Sequence, residues 1–184
     1  AQAVALEAAI TPALTYSIAD SLANIMVETN AVAGVDNAAA LAGRSVTVTD
    51  TALTLAQAIA LRTTGATTYV YSVQDNDANI VAAVNAAGTA RDALAGATSV
   101  RGADGVALTV ATVGTTFGIV GTKAQLDGLS TVLQGANKVY EVSVADLAAN
   151  PDFYVAAGIQ FRVTDTAANL TSGNALLPRA AALV

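Results

Sequence analysis

One short pattern recurs along this chain of 184 residues and constrains its fold more than any other feature. An alternating apolar stretch ends in Asp, and an Asn and an apolar residue follow four and five positions later. The clearest repeats are YSIADSLANI (16–25), YSVQDNDANI (71–80) and FRVTDTAANL (161–170). Less complete repeats are VSVADLAAN (142–150), VTVTDTALTL (46–55) and FGIVGTKAQL (117–126). The copies recur at intervals of about 17 to 30 residues, which is typical of a repeat array rather than of separate domains.

The first half of the pattern predicts a β-strand and the second half a short helix. Apolar and polar residues alternate in 45–49, 67–73 and 159–164, which places one face of each strand inward. Apolar residues then recur at helical spacing, for example at Ile80 and Val84. We expect the Asp between the two halves to accept hydrogen bonds from the free N–H groups at the start of its own helix.

Nine polar residues occupy the predicted structural positions of the repeat: Asp20, Asn24, Asp50, Asp75, Asn79, Asp146, Asn150, Asp165 and Asn169. The Asn four residues after the Asp has two interpretations. Its amide hydrogen-bonds backbone between neighbouring units, or the residue is simply tolerated near a helix start.

Strand, Asp and short helix in succession predict a βα unit, and a short helical connection returns the chain to the same end of a parallel sheet. The expected fold class is therefore α/β, with repeated strand-helix units in a parallel-sheet, solenoid-like array of about six to seven short coils. A single array is expected over 1–184, with the weakest unit at 97–115. The units lie near 13–43, 44–65, 66–96, 97–115, 116–136, 137–158 and 159–184.

Composition narrows the function classes. The chain has no His and no Cys, which removes the common Ser and Cys nucleophile arrangements and zinc sites built on imidazole or thiolate. Charged residues make up 12% of the chain, against about 25% in a typical soluble domain. The net charge of −6 argues against a nucleic-acid partner. We therefore expect a protein that is not an enzyme.

Two local features leave alternatives open. Asp75 and Asp77 place hard oxygen ligands close together, as calcium sites require, and they are otherwise solvated loop acids. No other cofactor is expected. The aromatic residues on predicted strands fill the core or form a surface binding stripe: Tyr16, Tyr69, Tyr71, Phe117, Tyr140 and Phe161.

The longest uncharged run lies between Asp104 and Lys123. Its length is close to that of a membrane span, but it is rich in Gly and Thr and would insert weakly. We expect buried strands there, with turns at Gly114 and Gly121. The run therefore predicts no membrane span.

The units YSIADSLANI, YSVQDNDANI and FRVTDTAANL, with VTVTDTALTLAQAIAL between them, resemble the TDTAANL-type repeat regions of very large secreted bacterial proteins. Those proteins are mainly alphaproteobacterial and cyanobacterial and are similar to adhesins and surface-layer components. The resemblance covers most of residues 13–175 and is weakest across 85–115. It implies an extracellular location at the cell surface, with a cell-surface glycan as a candidate partner.

Both ends of the chain, 1–16 and 174–184, are apolar and nearly uncharged. Terminal units of repeat arrays expose apolar edges unless they are capped. We therefore expect end-to-end self-association, into a filament or surface layer or within a giant adhesin. The alternative function is a calcium- or carbohydrate-binding module of a secreted protein that recognises its ligand through the loops after the strands.

Overall fold

The structure, a computed structural model, describes residues 17–28, 41, 43–154, 156 and 159–172. Nine strands and eight α-helices lie in these residues. The chain divides into two compact regions, region 1 (Ala1–Ala107) and region 2 (Leu108–Val184). Each region alternates strands with short helices, and each is described by itself below.

Region 1 contains three parallel strands in one sheet and a further parallel pair. Strand β2 lies between β1 and β3, and β4 pairs with β5. In chain order the elements are β1 (Ser17–Asp20), α1 (Leu22–Glu28), β2 (Ser45–Val48), α2 (Leu55–Arg62), β3 (Thr68–Val70), β4 (Ser72–Gln74), α3 (Asp77–Asn85), α4 (Thr89–Ala95) and β5 (Ser99–Arg101).

The core of region 1 combines strand Val residues with small helical residues. Val46 of β2 is fully buried and pairs in register with Ile18 and Tyr69 of the neighbouring strands. Ala58 of α2 and Ala93 of α4 are also fully buried. Because Ala adds little bulk, these helices can pack close to their neighbours.

Region 2 contains a hairpin followed by two strand-helix units. Strands β6 and β7 pair antiparallel, whereas β7–β8 and β8–β9 pair parallel. In chain order the elements are β6 (Ala107–Val113), β7 (Thr116–Gly121), α5 (Lys123–Asp127), a 3₁₀ turn (Leu133–Gly135), β8 (Lys138–Val142), α6 (Val144–Ala149), α7 (Pro151–Tyr154), β9 (Gln160–Val163) and α8 (Ala167–Ser172).

The expected parallel-sheet, solenoid-like array of six to seven coils is wrong. The strands form two sheets, one of three parallel strands and one of six mixed strands. The hairpin breaks the pattern because Gly114, with a φ of 58°, lets the chain reverse between β6 and β7 without a helix. A strand that returns without a crossover helix pairs antiparallel. The break falls within 97–115, where the repeat pattern is weakest.

The long uncharged run forms β6, its turn and β7. In the part of the chain that the structure describes, no helix is long and apolar enough to cross a membrane.

Gly118 of β7 lies so close to the neighbouring backbone that we expect it to tolerate no side chain. A Cβ added at Gly118 would lie 2.9 Å from the carbonyl oxygen of Asn137 and 3.2 Å from a methyl group of Val139. We expect Gly118→Ala to lower the free energy of unfolding by about 1–3 kcal/mol, because overpacking forces the backbone to shift. Urea denaturation measures this loss. Gly128→Ala is the control, since the Ala124 carbonyl oxygen, the nearest atom beyond its chain neighbours, would lie 3.3 Å from its Cβ, and equal losses for both variants would contradict the account.

Candidate functional site

Three of the recurring Asp residues, Asp50, Asp75 and Asp165, connect consecutive βα units through their side chains. In each case one carboxylate oxygen, Oδ2, accepts the backbone N–H of the first helical residue in the preceding unit. Three such links are present: Leu22 N–H to Asp50 at 2.5 Å, Leu55 N–H to Asp75 at 2.7 Å and Val144 N–H to Asp165 at 3.0 Å. The first N–H groups of a helix have no partner inside that helix, so the neighbouring unit supplies one.

The other carboxylate oxygen is held within its own unit. Asp75 Oδ1 accepts the Asn76 N–H at 2.7 Å and the Asn79 side-chain amide at 2.8 Å. Asp20 and Asp165 accept the amides of their own Asn, four residues on, at 2.7 Å. The Asn amide therefore donates to the Asp of its own unit, so it neither bonds backbone between units nor is merely tolerated. The residue that spans neighbouring units is the Asp.

The Asp does not cap its own helix, contrary to the prediction. In three units the residue after it does so, as where Asn76 Oδ1 accepts the Asn79 N–H at 2.9 Å. Ser21 and Thr166 occupy the same position in their units. In the unit of Asp50 the cap is Thr54. Ser, Thr and Asn are favoured at this position, and a carboxylate one residue earlier is attracted to the positive end of the neighbouring helix.

In the repeat at 142–150 the helix starts at Val144, two residues before Asp146, whereas the helices after Asp20, Asp75 and Asp165 start two residues after the Asp. Ser143 is the helix cap, and Asp146 lies inside the helix, where its carboxylate accepts the Ser143 hydroxyl at 2.7 Å. Asn150 ends this helix and donates to the Asp146 carbonyl at 3.3 Å. Tyr140, not Val142, pairs in register with Phe161.

The hydrogen bonds favour the ionised form of three repeat carboxylates. For Asp20 and Asp165 the bond from the Asn amide lowers the pKa most, followed by bonds from backbone N–H groups. For Asp75, partial burial acts to raise the pKa. The bonds from the Leu55 N–H, the Asn79 amide and a further backbone N–H outweigh this, so its pKa also lies below the ordinary value.

The predicted calcium ligands face N–H donors in the structure. Asp77 Oδ1 accepts the Ala103 N–H at 3.1 Å, and both oxygens of Asp75 make the bonds described above. Among the described residues, no group of three or more His, Cys, Asp or Glu side chains could hold a metal ion. Calcium binding at Asp75 and Asp77 stays a prediction.

A second feature, a cavity of about 340 Å³, lies in region 2. It is formed by the helices that follow β7 and β8. Its walls carry one ammonium group, two carboxylates, an amide and two hydroxyls, contributed by Thr122, Lys123, Ala124, Asp127, Asp146, Asn150 and Tyr154. We call this space the region 2 cavity.

Lys123 is held at this cavity by two contacts. Its ammonium group donates to the carboxylate of Asp127, one helical turn further on, and lies 4.9 Å from the ring centre of Phe153. The hydrogen bond to Asp127 raises the pKa of Lys123. Lys123 therefore presents a fixed positive charge beside two acidic groups.

Tyr154 is only 3% exposed, yet it lines the region 2 cavity. Its ring packs against Phe153 and Phe161, with ring centres at 5.0 and 5.6 Å. In the part of the chain that the structure describes, its hydroxyl makes no hydrogen bond and is not sealed from solvent. Burial, together with the nearby charge of Asp146, raises the pKa of Tyr154. The hydroxyl thus keeps its proton and remains available as a donor.

Sequence reasoning missed the cavity because it searched for aromatic residues on strands. Of the aromatic residues on predicted strands, Tyr71, Phe117 and Tyr140 are buried, as the core interpretation predicts, whereas Tyr69 and Phe161 are half-buried. Tyr16 lies outside the described residues. Tyr154 instead lies on the short helix α7 after Pro151. Two adjacent aromatic residues in a chain that is 4% aromatic were the available signal.

Comparison with known proteins yields no match: no family model, no curated protein and no solved structure is significantly similar to this chain. The resemblance to secreted repeat regions therefore stays a prediction. Function has to be argued from the links between units and from the region 2 cavity.

The links between units predict a specific loss of stability. Asp75→Ala removes the acceptor of the Leu55 N–H and of the Asn79 amide. We expect the free energy of unfolding to fall by about 1–3 kcal/mol, because a helix N–H loses its partner. Chemical denaturation measures the change. Asp92→Ala is the control, since Asp92 is an exposed acid in the first turn of α4; losses of equal size would refute a special role for Asp75.

The lowered pKa values predict a loss of stability in acid. An Asp in an unfolded chain has a pKa of about 3.9, and those of Asp20, Asp75 and Asp165 are lower in the folded protein. Their contribution is complete above the unfolded value and is lost as pH falls through the folded values, because the unfolded chain binds protons first.

Melting temperatures recorded from neutral pH downward test this expectation. The triple variant in which Asp20, Asp75 and Asp165 become Asn should start from a lower melting temperature and decline less steeply in acid. A variant that declines as steeply as the parent would show that other groups cause the acid sensitivity.

Proposed function

We propose that this chain is a non-enzymatic, extracellular structural or adhesive repeat protein that self-associates end to end. The assembly is a filament, a surface layer or part of a giant adhesin. Its recurring polar residues support a structural role, because Asp50, Asp75 and Asp165 connect one βα unit to the next. Units joined in this way suit a protein whose task is to continue a stack.

The observation that carries self-association is an apolar face on the last described unit, 159–172. In the other helices that follow directly on a strand segment, the fourth residue is at most 7% exposed: Ile25, Ala58, Ile80, Leu126 and Leu147. Leu170 occupies the same position in α8 and is 46% exposed. Val163 is 41% exposed, although its register partner Val142 is buried. We call Val163 and Leu170 the unit-end face.

We propose that a second molecule of this chain binds the unit-end face. The residues at the same positions in other units are buried within one molecule, so the face has the pattern of a contact between units. Burying a Val or Leu side chain contributes roughly 1.5–3 kcal/mol. A head-to-tail contact that does not close into a ring extends into a fibre. The apolar segments 1–16 and 174–184 lie outside the described residues, and their role stays a prediction.

Self-association is tested by sedimentation velocity over a range of concentrations, with electron microscopy of the same samples. We expect the parent chain to form larger species as concentration rises. Leu170→Asp should weaken this association by roughly tenfold or more, because a carboxylate would have to be buried without a partner. Antibody labelling of intact producing cells checks the extracellular location.

Val132→Asp is the matched control, since Val132 is 50% exposed in the same region but lies outside the unit-end face. It should associate like the parent. A parent chain that stays monomeric at every concentration would overturn the proposal, and so would equal weakening by both substitutions.

A further inference from the structure

The region 2 cavity combines a suitable size with varied hydrogen-bonding groups. Its volume of about 340 Å³ falls in the lower part of the roughly 300–1,000 Å³ range of small-molecule sites. A single sugar ring is a ligand of appropriate size for such a space. None of the residues that line it supplies the carboxylate of a link between βα units.

The charges of the cavity favour a neutral ligand. Lys123 opposes a cation, and the carboxylates of Asp127 and Asp146 oppose an anion. A ligand with several hydroxyl groups suits this mixture, because each hydroxyl can donate to a carboxylate and accept from an ammonium or amide group. Hydrogen bonds with one charged partner are also stronger than neutral ones.

Tyr154 provides an independent indication of a ligand. Its ring is fixed in an aromatic cluster, while its protonated hydroxyl lines the cavity without a partner in the described part of the chain. Asp146 is exposed, but one of its oxygens accepts the Ser143 hydroxyl, which orients the carboxylate, and the other can accept from a ligand. The two groups therefore present a fixed donor and a fixed acceptor to the same space.

We propose that the region 2 cavity binds a single neutral sugar ring, with Asp146 accepting from its hydroxyls and with Lys123 and Tyr154 donating to them. The site does not depend on the unit-end face, since the two sets of residues do not overlap. Failure of sugar binding therefore leaves self-association untouched, and failure of self-association leaves the sugar site untouched.

Saturation-transfer NMR on the full chain tests the site directly. The probes are glucose, galactose, mannose and N-acetylglucosamine, with the anion glucuronate and the cation glucosamine as charged comparisons. We expect transfer to at least one neutral sugar and none to the charged compounds. Tyr154→Phe keeps the aromatic ring and should reduce affinity severalfold. Asp146→Asn should reduce it by roughly tenfold, because a charged acceptor is lost.

Asp152→Asn is the control, since Asp152 is an exposed acid near the cavity that does not line it. Melting curves establish that each variant is folded. Because Asp146 also contributes to the start of α6, Tyr154→Phe decides the matter if Asp146→Asn unfolds. No transfer to any neutral sugar, transfer to the charged compounds alone, or transfer that Tyr154→Phe leaves unchanged would each overturn the proposal.

Discussion

The short helices that the structure describes begin with backbone N–H groups that lack partners inside the helix, and the repeat is organised around supplying them. Helices of four to nine residues gain little from their own propensity, so their ends decide whether they form. In six of the described helices the side chain of the cap residue accepts one of these N–H groups from within the unit. In three described units the Asp of the next unit satisfies another. The start of a helix is therefore completed only when the next unit is in place, so helix formation and the association of units depend on each other.

The residue before the cap and the residue three positions after the cap differ together between units. Where Asp75 precedes the cap, its carboxylate accepts the cap N–H, and Asn79 donates to that carboxylate. Where Gly121 precedes the cap, no carboxylate is present, and Gln125 itself accepts the cap N–H at 2.8 Å. The chain uses an amide donor in the first case and an amide acceptor in the second. Both arrangements leave the cap N–H paired.

Local patterns were sufficient to predict strands and helices such as β2 and α3, because alternation and helical spacing are properties of neighbouring residues. They were insufficient for the partner of each Asp, which lies 20 to 28 residues away. The position of the helix after β8 was also missed. The sequence pattern placed Asp146 before the helix, whereas Ser143 is the cap and Asp146 is the third residue of the helix. The region 2 cavity draws Lys123 and Tyr154 from separate repeats, which no local pattern connects.

Two of the departures from the repeat lie in the units that form the region 2 cavity. Gly121 replaces the linking Asp in the unit that carries Lys123, and the unit of Asp146 has Val142 before its cap. Neither unit therefore contributes a carboxylate to the helix of the preceding unit. Asp146 belongs instead to its own helix and lines the cavity. A repeat keeps the carboxylate that links its units wherever linking is the main function of that residue. The units of Lys123 and Asp146 lack this carboxylate, so we expect a binding role there.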